Sequence, residues 1–238
     1  MKLTILETGL LPEGIRADWP SYPEMIETLL RSQGFDGQTQ TVSVVGGEDL
    51  PAPDGDDPVL LMGSPYGVYD ETLWMDPLRT FIQTRADSKR PMVGICFGHQ
   101  ILADALGGRV EKSNKGWGVG RHVYQVLGEG GPLMATPNDT RAFALNVSHQ
   151  DQVITPPPGA ATIAASAFCE HAALLYENAP ILSFQGHPEF ADDYAAALYT
   201  HRRGTTIPAD LVDAALASLD GDEDGPRIAG AILRFLAG

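Results

Sequence analysis

A short apolar run leads directly into a cysteine between two glycines, in the stretch PMVGICFGHQ at 91–100. The apolar residues predict a buried strand, and HQILADALGG at 99–108 predicts a helix that ends at paired glycines. A strand that turns at once into a helix over G-x-C-x-G has the form of a nucleophile elbow with cysteine as the nucleophile. The pattern predicts an α/β fold in which Cys96 lies at the carboxyl edge of a sheet.

Strand and helix patterns alternate through the first half of the chain. Strands are predicted for KLTILE (2–7), TQTVSVV (39–45) and PVLLM (58–62), and helices for PEMIETLLRS (23–32) and DPLRTFIQTRAD (76–87). Such alternation is typical of a parallel sheet with helices on both faces.

The second half begins with five short apolar runs joined by turns and ends with three helical segments. The predicted strands are 122–127, 141–147, 161–166, 172–177 and 180–185, and the predicted helices are 190–202, 208–219 and 226–238. Short turns favour antiparallel neighbours. We therefore expect a three-layer sandwich around a mostly parallel mixed sheet. Because the sequence has no internal repeat and no low-complexity linker, we expect a single domain over 1–238.

Charge and composition exclude several classes of partner. The 238 residues include 16 basic and 31 acidic side chains, for a formal charge of −15, which repels nucleic acids and anionic membranes. The sequence has no apolar stretch near the roughly 20 residues that span a bilayer, and its start does not resemble a signal peptide. We expect a cytoplasmic protein without a nucleic acid or membrane partner. Of the two cysteines, Cys169 has no motif around it and is expected to pack in the core.

The elbow gives Cys96 two properties of a nucleophile. The tight turn exposes the sulfur at the edge of the sheet, and the amino end of the following helix favours thiolate over thiol. The alternative is that Cys96 is only a small buried side chain.

A thiolate nucleophile needs a base and a group that orients the base. GHPEF at 186–190 follows the apolar run 180–185, so His187 is expected at the same sheet edge as Cys96. Glu189 is close enough to hold the imidazole. A surface histidine is the alternative. The acid follows the histidine here, whereas in α/β-hydrolases it lies between the nucleophile and the histidine.

Four motifs together resemble the class I (triad) glutamine amidotransferases. They are GSPYG (63–67), GICFGHQ (94–100), SHQD (148–151) and GHPEF (186–190). The likeness is to the stand-alone group similar to the amidotransferase domain of GMP synthetase, and to γ-glutamyl peptidases. It implies that Cys96, His187 and Glu189 form the catalytic triad and that no metal or organic cofactor is needed.

The resemblance also implies the rest of the pocket. The backbone N–H groups of Phe97 and Ser64 would form the oxyanion hole. The substrate's α-amino and α-carboxylate groups would be held by Gln100, Ser148, His149, Gln150 and Asp151. Gln100 could instead lie on a helix surface and His149 could have a structural role. KGWGVG at 115–120 is expected to form a turn near the site or a plain hairpin, and DGDEDG at 220–225 an acidic cap on the last helix rather than a calcium loop.

The expected activity is hydrolysis of the glutamine γ-amide through a cysteinyl γ-glutamyl thioester, giving glutamate and ammonia. In the family the ammonia acceptor belongs to a synthetase, which would here be a separate chain. One alternative is a γ-glutamyl peptidase that cleaves glutathione-like compounds without transferring ammonia. Another is a binding or regulatory module without catalysis.

Overall fold

A nine-stranded mixed sheet forms the centre of the computed structural model, which describes residues 2–238. The strands of the chain are β1 (Lys2–Glu7), β2 (Gln38–Ser43), β3 (Val59–Leu61), β4 (Met92–Ile95), β5 (Arg109–Lys112), β6 (Gly118–Val126), β7 (Ala142–His149), β8 (Asp151–Thr155), β9 (Ala160–Ala165), β10 (Ala173–Tyr176) and β11 (Ile181–Phe184).

The order across the sheet is β2-β1-β3-β4-β11-β10-β9-β6-β7, and β5 and β8 pair separately. The first five strands in this order are parallel, and the remaining neighbours are antiparallel. The prediction of a mostly parallel mixed sheet is confirmed, with the predicted short turns in its antiparallel half.

Helices cover both faces of the sheet. Within residues 2–238 they are α1 (Tyr22–Ser32), α2 (Met75–Asp87), α3 (Phe97–Ala105), α4 (Asp192–Arg202), α5 (Ala209–Ala217) and α6 (Gly225–Ala237). Leu3 and Ile5 of β1 share an apolar cluster with α1 and α6, whereas Leu6 packs with α2 and α3 on the opposite face. The predicted three-layer sandwich is confirmed. None of the helices in this part of the chain is long and apolar enough to cross a bilayer.

Two elements differ from the sequence prediction. β5 and β8 were not predicted, because RVEK at 109–112 buries only Val110 and gives no apolar alternation. The glycine-rich segment is a turn only near Gly116, and β6 begins at Gly118. A side chain at Gly118 would begin 2.6 Å from the ring of Phe168, so this glycine allows close packing.

The acidic segment before α6 caps the helix through Glu223, whose carboxylate accepts the N–H of Gly225 at the start of α6. Asp224 directly precedes the helix but makes no side-chain hydrogen bond to it. Its carboxylate accepts the Ala144 N–H at 2.8 Å, and its own N–H donates to the Ala144 carbonyl at 2.9 Å. The segment therefore attaches α6 to the edge of β7.

Candidate active site

The carboxyl ends of three parallel strands bring the candidate residues together. β3 runs into Gly63 and Ser64, β4 into Cys96, and β11 into the segment that carries His187. A Cβ on Gly63 would lie 2.9 Å from Cε1 of His187. The glycine thus allows the imidazole to approach the end of β3.

Cys96 has a strained backbone between strand and helix. Its φ is 52° and its ψ is −102°, a conformation that is costly for residues other than glycine. Its N–H donates to the Phe184 carbonyl at 2.8 Å, and α3 begins at the next residue. A Cβ at Gly98 would lie 2.2 Å from the Leu61 carbonyl oxygen, so only glycine fits there. This is the geometry of a nucleophile elbow.

His187 lies between a carboxylate and the cysteine. Its Nδ1 is 2.8 Å from Oε1 of Glu189, whose side chain is buried, and its ring stacks on Phe190 at 3.8 Å. Burial acts to lower the pKa of His187. The charge of Glu189, followed by the electrostatic interaction with Cys96, more than offsets this effect and raises the pKa to about 10. The ring is therefore an imidazolium beside the sulfur at neutral pH.

Two backbone amides near Cys96 are available for an oxyanion. Within residues 2–238, the N–H groups of Ser64 and Phe97 donate to no protein acceptor. Ser64 has no positive φ, so a residue other than glycine fits this turn without backbone strain. Its hydroxyl donates to the Thr8 carbonyl at 2.7 Å and fixes the turn.

A cavity of about 390 Å³ borders Cys96. All five residues expected to bind the substrate line it: Gln100, Ser148, His149, Gln150 and Asp151. Gln100 is buried rather than on a helix surface, and its Nε2 donates to the Asp151 carbonyl at 2.9 Å. The Asp151 carboxylate accepts the Tyr69 hydroxyl at 2.9 Å.

His149 makes a structural hydrogen bond at the cavity wall. Burial, together with the nearby His122, lowers the pKa of His149 to about 3, so the ring is neutral. Nδ1 therefore donates its proton to the Asp151 carbonyl, 3.0 Å away. Nε2 is a buried acceptor without a partner among residues 2–238.

The sequence did not predict two polar side chains of the cleft. Gln185 follows β11, and its Nε2 donates to Sγ of Cys96 at 3.7 Å while its Oε1 accepts from Gln100 at 3.2 Å. Arg202 ends α4, lines the cavity and donates to the Ser148 hydroxyl at 2.7 Å. Position directly after a buried strand was a usable signal for Gln185. Arg202 had none, since only the packing of α4 brings it to the cleft.

The polar groups that line the site suit an amino-acid substrate. Amides, a hydroxyl, a guanidinium and a carboxylate are the groups that bind amide, carboxylate and ammonium functions. Among residues 2–238, no group of three or more His, Cys, Asp or Glu side chains could hold a metal ion.

Comparisons with known proteins agree with the family resemblance of the sequence. The family model "glutamine amidotransferase class-I" matches residues 21–200. A glutamine amidotransferase-like protein of Schizosaccharomyces pombe is 27% identical over 93% of each chain. Two relatives match shorter parts. The glutamine-hydrolysing GMP synthase subunit of Methanothrix thermoacetophila is 41% identical over 42% of this chain and 54% of its own. Gamma-glutamyl peptidase 2 of Arabidopsis thaliana is 29% identical over 60% of this chain and 56% of its own.

The fold is also found among solved structures. A glutamine amidotransferase from Thermotoga maritima has a TM-score of 0.76 and 18% identity, covering 100% of this chain and 98% of that chain. Together with the family match over residues 21–200, this confirms the resemblance seen in the sequence. The chain belongs to the class-I glutamine amidotransferase family.

Proposed function

We propose that this chain hydrolyses the γ-amide of glutamine to glutamate and ammonia, with Cys96 as nucleophile, His187 as acid and base, and Glu189 as the orienting group. The observation that carries the proposal is the pairing of His187 with Glu189 at 2.8 Å, in a recess that Cys96 and His187 line together beside the two unpaired amides of Ser64 and Phe97.

In the first half of the reaction, the Cys96 thiolate attacks the γ-carbonyl carbon, and the N–H groups of Ser64 and Phe97 stabilise the oxyanion. The imidazolium of His187 gives its proton to the nitrogen as the carbon–nitrogen bond breaks. Ammonia leaves, and a γ-glutamyl thioester remains on Cys96. Neutral His187 then takes a proton from water, whose oxygen attacks the thioester and releases glutamate and the thiolate.

The cavity side chains provide for both charged groups of glutamine. Arg202 forms no ion pair with a carboxylate of residues 2–238, so its guanidinium is available for the α-carboxylate. The Asp151 carboxylate, held by Tyr69, would receive the α-ammonium group. Gln100 and His149 would keep the segment that carries Asp151 in place.

The small space beside His187 supports ammonia as the leaving group. The leaving group must lie next to the acid that protonates it. The recess lined by His187, Phe190 and Tyr22 has a volume of about 30 Å³, against about 390 Å³ for the neighbouring cavity, so it has room only for a small leaving group.

A γ-glutamyl peptidase is the second candidate. The observation that favours it is the cavity of about 390 Å³, which borders Cys96 and has room for more than the glutamate part of a substrate. The relative in Arabidopsis thaliana carries the name of this activity.

A separate synthetase chain would use the ammonia. The relative in Methanothrix thermoacetophila is named as a subunit of GMP synthase. Exposed apolar side chains offer a surface for such a partner. They include Tyr66 and Tyr69 at the cleft and the 98% exposed Leu73, which lines a neighbouring groove that also contains Tyr69.

The test is steady-state hydrolysis by the purified chain, with glutamate release measured for glutamine, glutathione and a γ-glutamyl dipeptide. We expect glutamine to have the highest kcat/KM. Cys96→Ala should remove the activity because no nucleophile remains, and Cys169→Ser is the matched control because Cys169 is buried away from the cleft.

Turnover of glutathione but not of glutamine would contradict the glutaminase and favour the peptidase. A third outcome would indicate a separate synthetase partner: the purified chain turns over every substrate slowly, and adding a cell extract raises the turnover of glutamine alone. Equal activity of the wild-type chain and Cys96→Ala would contradict both functions.

A further inference from the structure

The segment that carries His187 and Glu189 is held by very few backbone contacts. It follows the end of β11 at Phe184 and precedes the start of α4 at Asp192. Two backbone hydrogen bonds link it to the sheet. The Gln185 N–H donates to the Ala172 carbonyl at 2.8 Å, next to β10, and the His187 N–H donates to the Asn146 carbonyl of β7 at 3.0 Å in an isolated antiparallel bridge. The position of the imidazole therefore depends on Asn146.

The side chain of Asn146 holds the other end of the same segment. Its Nδ2 donates to the Phe190 carbonyl at 2.9 Å, and Asn146 is 0% exposed. The Phe190 ring stacks on the imidazole with only 8° between the two planes. One residue thus fixes the backbone of His187 and the ring behind it.

Two charged side chains fix the orientation of the Asn146 amide. Oδ1 accepts from Nε of Arg121 at 3.0 Å, and Nδ2 also donates to Oδ1 of Asp192 at 2.9 Å. Arg121 is itself ion-paired with Asp192, and its side chain is almost fully buried. A reversed amide would face Arg121 with its N–H₂ group and the Phe190 carbonyl with its oxygen, so Asn146 has a single favourable orientation.

We propose that Asn146, oriented by Arg121 and Asp192, is a positioning residue for the His187–Glu189 pair. The inference deepens the proposed hydrolase function and rests on it. The physical reason is alignment, because proton transfer to the leaving group needs the imidazole at hydrogen-bond distance, and a displacement of about 1 Å can cost roughly 100-fold in rate.

The test variant is Asn146→Asp, which keeps the size and the acceptor for Arg121 but cannot donate to Phe190. The new carboxylate would also face Asp192. We expect kcat for glutamine to fall roughly 100-fold, with KM within about threefold of wild type, because the variant moves the acid and not the substrate pocket.

A second readout does not depend on turnover. Iodoacetamide alkylation of Cys96 at pH 7, in a Cys169→Ser background, reports the thiolate that the His187 imidazolium stabilises. We expect Asn146→Asp to slow this alkylation at least about tenfold. Partial unfolding would also lower the apparent kcat at constant KM, but it would expose Cys96 to the reagent and so speed the alkylation rather than slow it.

One control separates positioning from general damage. Asp139→Asn disturbs a buried carboxylate that pairs with Arg227 and Arg234 away from the cleft, so it should lower Tm without slowing the alkylation.

The proposal is overturned if Asn146→Asp and Asn146→Ala both keep kcat and alkylation within twofold of wild type. If neither variant folds, amide exchange in the wild-type chain decides, since an unprotected His187 N–H would contradict the bridge and a strongly protected one would support it. If wild type hydrolyses no γ-glutamyl compound, the proposed function fails, while the alkylation comparison still tests the positioning.

Discussion

The neighbouring residues Arg202 and Arg203 have the same side chain but different hydrogen-bond partners, because they lie in different surroundings. Arg203 forms an exposed, two-pronged ion pair with Asp213, whereas Arg202 lines the cleft and its guanidinium donates to the Ser148 hydroxyl. In a chain with a formal charge of −15, a cation without an acidic partner beside the nucleophile is suited to attract an anionic group.

Replacing Arg202 should therefore weaken substrate binding. We expect Arg202→Met to raise KM for glutamine roughly tenfold or more with a smaller change in kcat, because a hydrogen bond to a charged group contributes about 1.5–3 kcal/mol. Steady-state kinetics measure both constants. Arg203→Met is the matched control and should leave both unchanged; an equal effect of the two variants would argue against a carboxylate contact.

At the scale of elements, the elbow depends on how closely α3 crosses β3. The Gly98 N–H donates to the Met62 carbonyl at 3.1 Å, and the missing side chain leaves room for the backbone of Leu61. The close approach of the α3 and β3 backbones therefore sets the position of Cys96.

Gly98→Ala should destabilise the protein, because its new Cβ would meet backbone atoms that cannot move aside. We expect Tm to fall by roughly 6 °C or more, from an overpacking cost of about 3 kcal/mol. Thermal unfolding followed by circular dichroism measures the change. Gly221→Ala, at a position with open space around it, is the control and should shift Tm by less than about 2 °C. Similar values for both would contradict the crossing.

At the scale of the whole molecule, acidic groups near the carboxyl-terminal helix link stability to pH. Burial, opposed by the Gly225 N–H and Arg121 and aided by Asp192, raises the pKa of Glu223 from 4.5 to about 7. The folded state therefore binds this proton more tightly than the unfolded state. The stabilising contribution is complete below about pH 4.5 and is lost as the pH rises through about 7.

Glu223→Gln should remove this dependence, because an amide cannot ionise. We expect the Tm of the variant relative to wild type to rise by a few degrees between pH 5.5 and pH 8.5. Scanning calorimetry across this range measures the difference. Glu129→Gln, which changes an exposed carboxylate, should give a curve parallel to wild type. A parallel curve for Glu223→Gln would show that Glu223 does not ionise in this range.

The sequence by itself determined the main elements and the fold class. Apolar periodicity predicted every strand of the central sheet and all six helices of residues 2–238, because burial on one or both faces leaves a pattern in consecutive residues. It also placed Cys96 and His187 at one sheet edge, since parallel strands end there together. It did not show β5 and β8, whose mainly polar residues carry no such pattern.

Only the tertiary structure decided what surrounds that edge. Gln185, Arg202 and Asn146 lie near the Cys96–His187 centre through packing between elements distant in the chain, and no spacing rule reports such contacts. The raised pKa of His187 likewise follows from the charges of Glu189 and Cys96 outweighing its burial. Periodicity records which face of an element is buried, whereas the partner that each polar side chain meets depends on three-dimensional packing.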